Sequence, residues 1–253
     1  MKIASTTLPQ RIELLADGRT LYPWAKRIGV NKGSIEKVMK LDGGLSGETL
    51  ACFHRTENVR TDWLLEGHGA PFYVSARTND EDAAELLDEY LEEHWTITLV
   101  TDGRRLLIVL SQPGSFDVKD GKDSDGHQVM RRVEYTIVEV IAAPIGKATI
   151  TRLKRGRKTF RVVTTTPERF SAIEKGNVGT YRLFEAPDAI LSTDSIEEVD
   201  EQFFSRYLQP ELFPATPDEN ALLGNYRTMT PENRLAVAQV ANAMADYATT
   251  TKK

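Results

Sequence analysis

Leu21-Tyr22-Pro23-Trp24-Ala25-Lys26-Arg27-Ile28-Gly29-Val30-Asn31-Lys32-Gly33-Ser34-Ile35 decides the fold, because it reads as two short amphipathic helices and the turn between them. Leu21, Trp24, Ala25 and Ile28 recur at helical spacing and face inward, and Thr20 stands where an N-cap belongs. Pro23 falls in the first turn, where its missing N–H costs little. Gly29 stops the first helix by supplying a positive φ. Asn31 caps the second, whose inward set is Ile35, Val38 and Met39.

Working outward, Leu8, Ile12 and Leu15 mark a preceding helix that ends near Gly18. Gly43-Gly44 breaks the chain after the quoted stretch, a further helix runs from about Gly47 to Glu57, and Trp63-Leu64-Leu65 closes the bundle. Residues 8–66 therefore predict a five-helix, all-α domain, with Trp24, Trp63 and Cys52 packed inside it. A single cysteine forms no internal disulfide and suits a reducing compartment.

Two helices packed steeply through a tight turn leave the second free to enter a DNA major groove, about 12 Å wide. Such a unit needs a small residue at the helix contact, a glycine in the turn and apolar residues under the second helix. Ala25, Gly29, Ile35 and Val38 supply these at spacings of four, six and three. The outward positions Asn31, Lys32, Gly33, Glu36, Lys37 and Lys40 then face base edges and phosphates, and Ser34, Thr20 and Lys26 complete the candidate DNA-binding set. Lysine reaches guanine O6/N7 or phosphate, asparagine pairs with adenine or backbone, and glutamate accepts from cytosine N4.

The formal net charge of −5 points away from nucleic acid, but its distribution points back. Residues 1–40 hold eight Lys/Arg against Glu13, Asp17 and Glu36, a local +5, whereas residues 76–94 hold eight acidic residues against Arg77, a local −7. Phosphate contacts need only local cation density. No apolar run reaches the roughly 20 residues of a membrane span, and the N-terminus lacks a signal-peptide core, so no membrane role and a cytoplasmic location are expected.

Residues 74–94 read as an acidic linker that becomes helical on Leu86, Leu87, Tyr90 and Leu91. From Trp95 the pattern alternates. Residues 94–100 and 105–110 flank Asp102-Gly103, the signature of a type I′ hairpin. Further strands are expected at residues 132–142, in a hairpin of 148–153 with 159–165 turning near Arg155-Gly156, and at 179–184; residues 116–127 read as a mobile loop. Helices are expected at 195–207 and at 230–247, the latter started by Thr230-Pro231, with a proline-broken segment between them. The class is α+β: a helical head (1–73), an acidic linker (74–94) and a β-rich oligomerisation or regulatory domain with a helical tail (95–250).

The block 21–35, with Gly44-Leu45-Ser46-Gly47-Glu48-Thr49-Leu50 and Thr61-Asp62-Trp63-Leu64-Leu65-Glu66-Gly67-His68-Gly69, resembles the N-terminal domain of phage CI-type repressors of the Xre/Cro helix-turn-helix class. The resemblance covers residues 8–73 and implies a lambda-repressor-like domain that binds a palindromic operator as a dimer or higher oligomer. It also implies lysogeny control in a bacterial host, at the nucleoid, with an antirepressor protein as a further partner. Many such repressors resemble, in their second half, Ser/Lys autoproteases that cleave at Ala-Gly or Cys-Gly. This chain has neither dipeptide, and Ser111 with Lys147 or Ser115 with Lys154 lack the expected context, so a non-enzymatic repressor is expected.

Two alternatives stand beside it: a self-cleaving repressor with a diverged Ser/Lys dyad, and a regulator whose C-terminal domain senses a protein or ligand. His54, His68, His94 and His127 are scattered without metal-ligand spacing, and neither metal nor cofactor is expected. The basic residues Arg152, Lys154, Arg155, Arg157, Lys158 and Arg161 form either a solvated hairpin face or a second DNA-backbone surface. The last helix either pairs subunits or covers its own sheet.

Overall fold

The computed structural model describes residues 6–155, 159–191, 196–199, 201–207 and a few short pieces beyond 224. Residues 1–208 form one compact unit of mixed α/β structure and residues 209–253 a second. The proline-broken segment and most of the expected 230–247 helix lie outside the described residues, as do Arg157 and Lys158.

Five helices open the chain: α1 (Leu8–Ala16), α2 (Leu21–Arg27), α3 (Lys32–Met39), α4 (Gly47–Glu57) and α5 (Thr61–Glu66). Local caps set their starts. Gln10 Oε1 accepts from the Thr7 N–H at 2.8 Å, Asn31 Oδ1 from the Ser34 N–H at 2.8 Å, and Ser46 Oγ from the Thr49 N–H at 3.2 Å. Their apolar faces share a core of Ile12, Leu15, Trp24, Ala25, Ile28, Ile35, Val38, Phe53, Trp63 and Leu64. Arg11, itself buried, ties α1 to the end of α5 by donating to Leu64 O and Leu65 O, each at 2.8 Å.

A six-stranded mixed sheet follows, in the order β1-β4-β3-β2-β5-β6, from β1 (Ser75–Ala76), β2 (Thr96–Thr101), β3 (Leu106–Lys122), β4 (Gln128–Ala142), β5 (Thr159–Thr164) and β6 (Ile196–Glu198). Its centre is buried on both faces, which explains the unbroken apolar run Leu106–Leu110. Leu106, Ile108 and Leu110 pack with Leu99, Phe160, Leu87 and Leu153 on one side. Leu107 and Val109 pack with Val100, Val140, Phe170 and Leu183 on the other. The first layer is built by α6 (Asp80–Tyr90), α7 (Lys147–Lys154) and α9 (Glu201–Ser205), the second by α8 (Pro167–Glu174) and a π-helical turn at Tyr181–Glu185.

Several sequence expectations change here. The expected hairpin of 148–153 with 159–165 is instead a helix, α7, followed by β5 running parallel to β2. Its β-like alternation is overridden by a cap from elsewhere: Asp80 accepts from the backbone N–H groups of Gly146, Ala148 and Thr149 at 2.8, 2.7 and 3.1 Å. Thr149 and Leu153, four apart, then become the buried stripe. The acidic stretch is the packed helix α6, which buries Leu87 together with Ala83 and Ala84 and packs Leu86, Tyr90 and Leu91 against the same core.

The Asp102-Gly103 hairpin forms, but with residues 102–105 as its loop, since Thr101 pairs with Leu106. Asp102 Oδ1 accepts from the Arg104 and Arg105 N–H groups, stabilising the longer turn over type I′. The expected strand at 179–184 is the π-helical turn, closed by the Ala186 N–H donating to Tyr181 O. The helix expected at 195–207 divides into β6 and α9.

The largest correction concerns residues 116–127. Beyond Ser111, which pairs with Thr96 at the start of β2, β3 and β4 continue as a two-stranded ribbon, paired from Gln112 with Ile137 to Lys122 with Gln128. Pro113 sits just past the last β2 pair, where its missing N–H has no strand to serve. The ribbon's burial alternates, and Phe116 and Val118 on its inner face join the helical core. Sequence reading saw a polar loop because the apolar partners of these two side chains lie about ninety residues away, in the helical head.

Candidate nucleic-acid interface

The α2–α3 unit is built from a tight turn. Gly29 has φ +89°, and a Cβ placed there would lie 3.0 Å from Val118 Cγ1 and 3.3 Å from Cys52 Sγ. The Gly29 carbonyl accepts from Cys52 Sγ at 3.7 Å, and burial pushes that thiol's pKa up. Beneath the turn, Ala25 and Ile35 are fully buried, and Val38 is nearly so, leaving the other side of α3 to solvent.

Asn31, Lys32, Gly33, Lys37 and Lys40 are exposed, and Ser34 and Glu36 partly so; helical spacing puts Lys32, Gly33, Glu36, Lys37 and Lys40 on the side of α3 away from buried Ile35 and Val38, with Asn31 at its N-cap and Ser34 at the flank. Asn31 caps α3 through Oδ1 and keeps its amide N–H groups for other partners. Lys32 Nζ lies 3.4 Å from Glu36 one turn on and 5.3 Å from the Tyr22 ring. Lys37 and Lys40 form no ion pair among the described residues. Gly33 leaves open space above the first turn, where an added Cβ would meet only Asn31 Oδ1, at 3.6 Å.

Two candidates stand apart. Thr20 is exposed at the N-cap of α2, without a side-chain capping bond. Lys26 points toward the ribbon: its Nζ is 4.0 Å from Asp120, and its carbonyl accepts from Arg131 Nη2 at 2.6 Å. Sequence reasoning missed Tyr22, which is 40% exposed beside Lys32; its place one turn before Lys26 on the same helix was the available sign.

The head is braced against the body at several points. Arg55 lies 5.3 Å over the Phe116 ring, Arg27 pairs with Glu185, and Arg182 pairs with Asp17. Inside the head, Glu57 is 3% exposed and accepts from Arg19 Nη1 at 2.7 Å and Trp24 Nε1 at 2.6 Å. Burial raises the Glu57 carboxyl above its ordinary pKa, against the opposing pull of Arg19 and Trp24. The Arg19 guanidinium in turn stacks 3.9 Å from the Tyr181 ring, so this network also reaches the body.

The other sequence candidates are separated. Ser115 Oγ accepts from Arg132 Nη2 at 2.6 Å, and Ser111 is buried opposite Thr96 and Val138. Arg152 and Arg155 of the basic cluster pair with Asp88 on α6. His54 Nδ1 lies 3.1 Å from Val59 O, at the turn after its own helix. Among the described residues no three His, Cys, Asp or Glu side chains converge as a metal site, and no helix is long and apolar enough to cross a membrane. No family model matches this sequence, and no curated protein or solved structure matches it either.

Proposed function

We propose that the chain is a sequence-specific DNA-binding transcriptional repressor of the phage or prophage lysogeny type. In this reading α2 and α3 form the helix-turn-helix of a lambda-repressor-like head on residues 1–73, and α3 enters the major groove of one half of a palindromic operator. The observation that carries it is the exposed face of α3, where Lys32, Lys37 and Lys40 stand with Asn31 and Glu36 above a fully buried Ile35. Lys37 and Lys40 supply phosphate contacts, while Asn31, Lys32 and Glu36 lie nearest the groove floor. The protein acts at the nucleoid of a bacterial host as a dimer or higher oligomer, and an antirepressor protein is its natural antagonist.

Repression proceeds without self-cleavage in this reading. The missing Ala-Gly and Cys-Gly dipeptides and the engagement of Ser115 by Arg132 support that. Intact protein held at alkaline pH should yield no fragments, and discrete fragments would return the cleavable alternative.

Footprinting on the DNA flanking the gene itself tests the main reading, with Lys32→Ala and Lys37→Ala as controls. Loss at selected base pairs marks a reading residue, uniform loss marks a phosphate contact, and no protected site at low salt rejects the proposal.

A further inference from the structure

We infer that two copies of this chain associate edge to edge through β4, forming a continuous antiparallel sheet across the two ribbons. One edge of β4 is taken by β3 from Gln128 to Ile141. On the other, strand pairing is limited to Ile141 and Ala142, which pair with β1. On that edge residues 128–140 have no strand partner among the described residues; the row is exposed at Gln128–Met130, Arg132 and Glu134 and half-buried at Tyr135–Ile137, whereas Val133, Val138 and Val140 are buried. Apart from Gln128 Nε2, which reaches Val129 O at 3.1 Å, no side chain bonds the backbone of residues 129–138 among the described residues.

The two ribbon edges are built differently. The β3 edge is blunted by Pro113 and Gly114 and by a register shift between Lys119 and Lys122. Natural proteins use such interruptions to prevent strand addition. The sequence Gln-Val-Met-Arg-Arg-Val-Glu-Tyr-Thr-Ile-Val-Glu-Val-Ile-Ala of β4 has neither proline nor glycine, and it leaves Val129 and Met130 39% and 53% exposed.

Charge selects the occupant and the register. Arg132 and Glu134 are both exposed on the ribbon's outer face, and Glu134 has no ion-pair partner among the described residues. A two-fold axis perpendicular to the sheet through Val133 sets Arg132 of each copy opposite Glu134 of the other, giving two cross-strand ion pairs. Moving the axis by one residue opposes Arg132 to Arg132 or Glu134 to Glu134. The same axis preserves faces, so both helical heads, packed on the Phe116 and Val118 side, lie on one side of the joined sheet. The use of that arrangement for a palindrome rests on the DNA-binding reading; the contact itself does not.

Sedimentation of the full chain without DNA tests the contact. The wild-type chain should dimerise at micromolar concentration. Arg132→Glu and Glu134→Arg, each setting like charges across the axis, should each weaken dimerisation about tenfold or more. The double variant Arg132→Glu/Glu134→Arg restores opposite charges and should recover most of the affinity. A monomeric wild-type chain, single variants that associate like wild type, or a double variant no better than the singles would each overturn the inference. A missing footprint alongside charge-swap rescue would instead reject the DNA reading and leave the dimer standing.

Discussion

Asp80 and Gly146, sixty-six positions apart, meet at the first turn of α7, where the Asp80 carboxylate accepts from the Gly146 N–H at 2.8 Å. The Ala148 and Thr149 N–H groups donate to the same carboxylate, so the cap of one helix is supplied by the first residue of another. A Cβ on Gly146 would run into that carboxylate, so glycine is required there by proximity rather than by φ.

Removing this cap exposes its worth. Asp80→Ala should destabilise the chain by about 2 kcal/mol in denaturant titrations, since three backbone donors lose a charged acceptor. Burial opposes ionisation of Asp80, but the bonds from Thr149, Gly146 and Ala148 outweigh it and hold the carboxyl below the usual range. Its contribution is therefore complete above the unfolded value of about 4 and is lost as pH falls through the lower folded value. Wild type and Asp80→Asn should differ at pH 7 and converge in strong acid; a constant gap down to low pH would contradict this.

The Arg19–Glu57–Trp24 network should tolerate change unequally. Glu57→Ala leaves the buried indole N–H of Trp24 without an acceptor and the half-buried Arg19 guanidinium with only its bonds to Ala16 O and Leu15 O, and is expected to cost about 3 kcal/mol. Glu57→Gln keeps an acceptor oxygen for both donors and should cost clearly less, which thermal melts of the two variants would reveal.

Bracing of the head by the ribbon is open to hydrogen exchange. Phe116→Ala removes an aromatic packed on the helical core and should speed amide exchange in residues 8–66 while leaving β2 and β5 protected. Gly29→Ala should act more severely, because φ +89° and the 3.0 Å approach to Val118 both resist a side chain. Equal loosening of head and sheet by Phe116→Ala would count against the brace.

Salt dependence distinguishes the lysines of the α3 surface. Lys37→Ala and Lys40→Ala should each lower the slope of log affinity against log salt by about 0.9, the value for one phosphate contact. Lys26→Ala should change it less, because its ammonium already lies 4.0 Å from Asp120.

What could be read directly from the sequence follows the range of the interactions. α1 to α5 were legible because caps such as Asn31 and Ser46 act three residues away and the apolar stripe repeats within each helix. β2 and the first part of β3 were legible because Leu106–Leu110 admits little but a buried strand. α7 was not, since Asp80 supplies its cap from a distance. The ribbon was not, since Phe116 and Val118 find their partners in the head. The exposed α3 face was legible residue by residue, but the turning of Lys26 toward Asp120 depended on that same ribbon.

The ribbon also bears on the order in which the chain organises. Only residues 123–127 separate Lys122 from its partner Gln128, whereas β2 and β5 are separated by residues 102–158. Chain-closure entropy makes the longer connection about 2 kcal/mol more costly to form, so the arm is the element of the sheet that zips first. It then offers Phe116 and Val118 to a head whose own contacts are local, and the parallel pairing of β2 with β5 comes last. Folding kinetics of Val118→Ala should accordingly show its loss mainly in the folding rate, and that of Val162→Ala mainly in the unfolding rate.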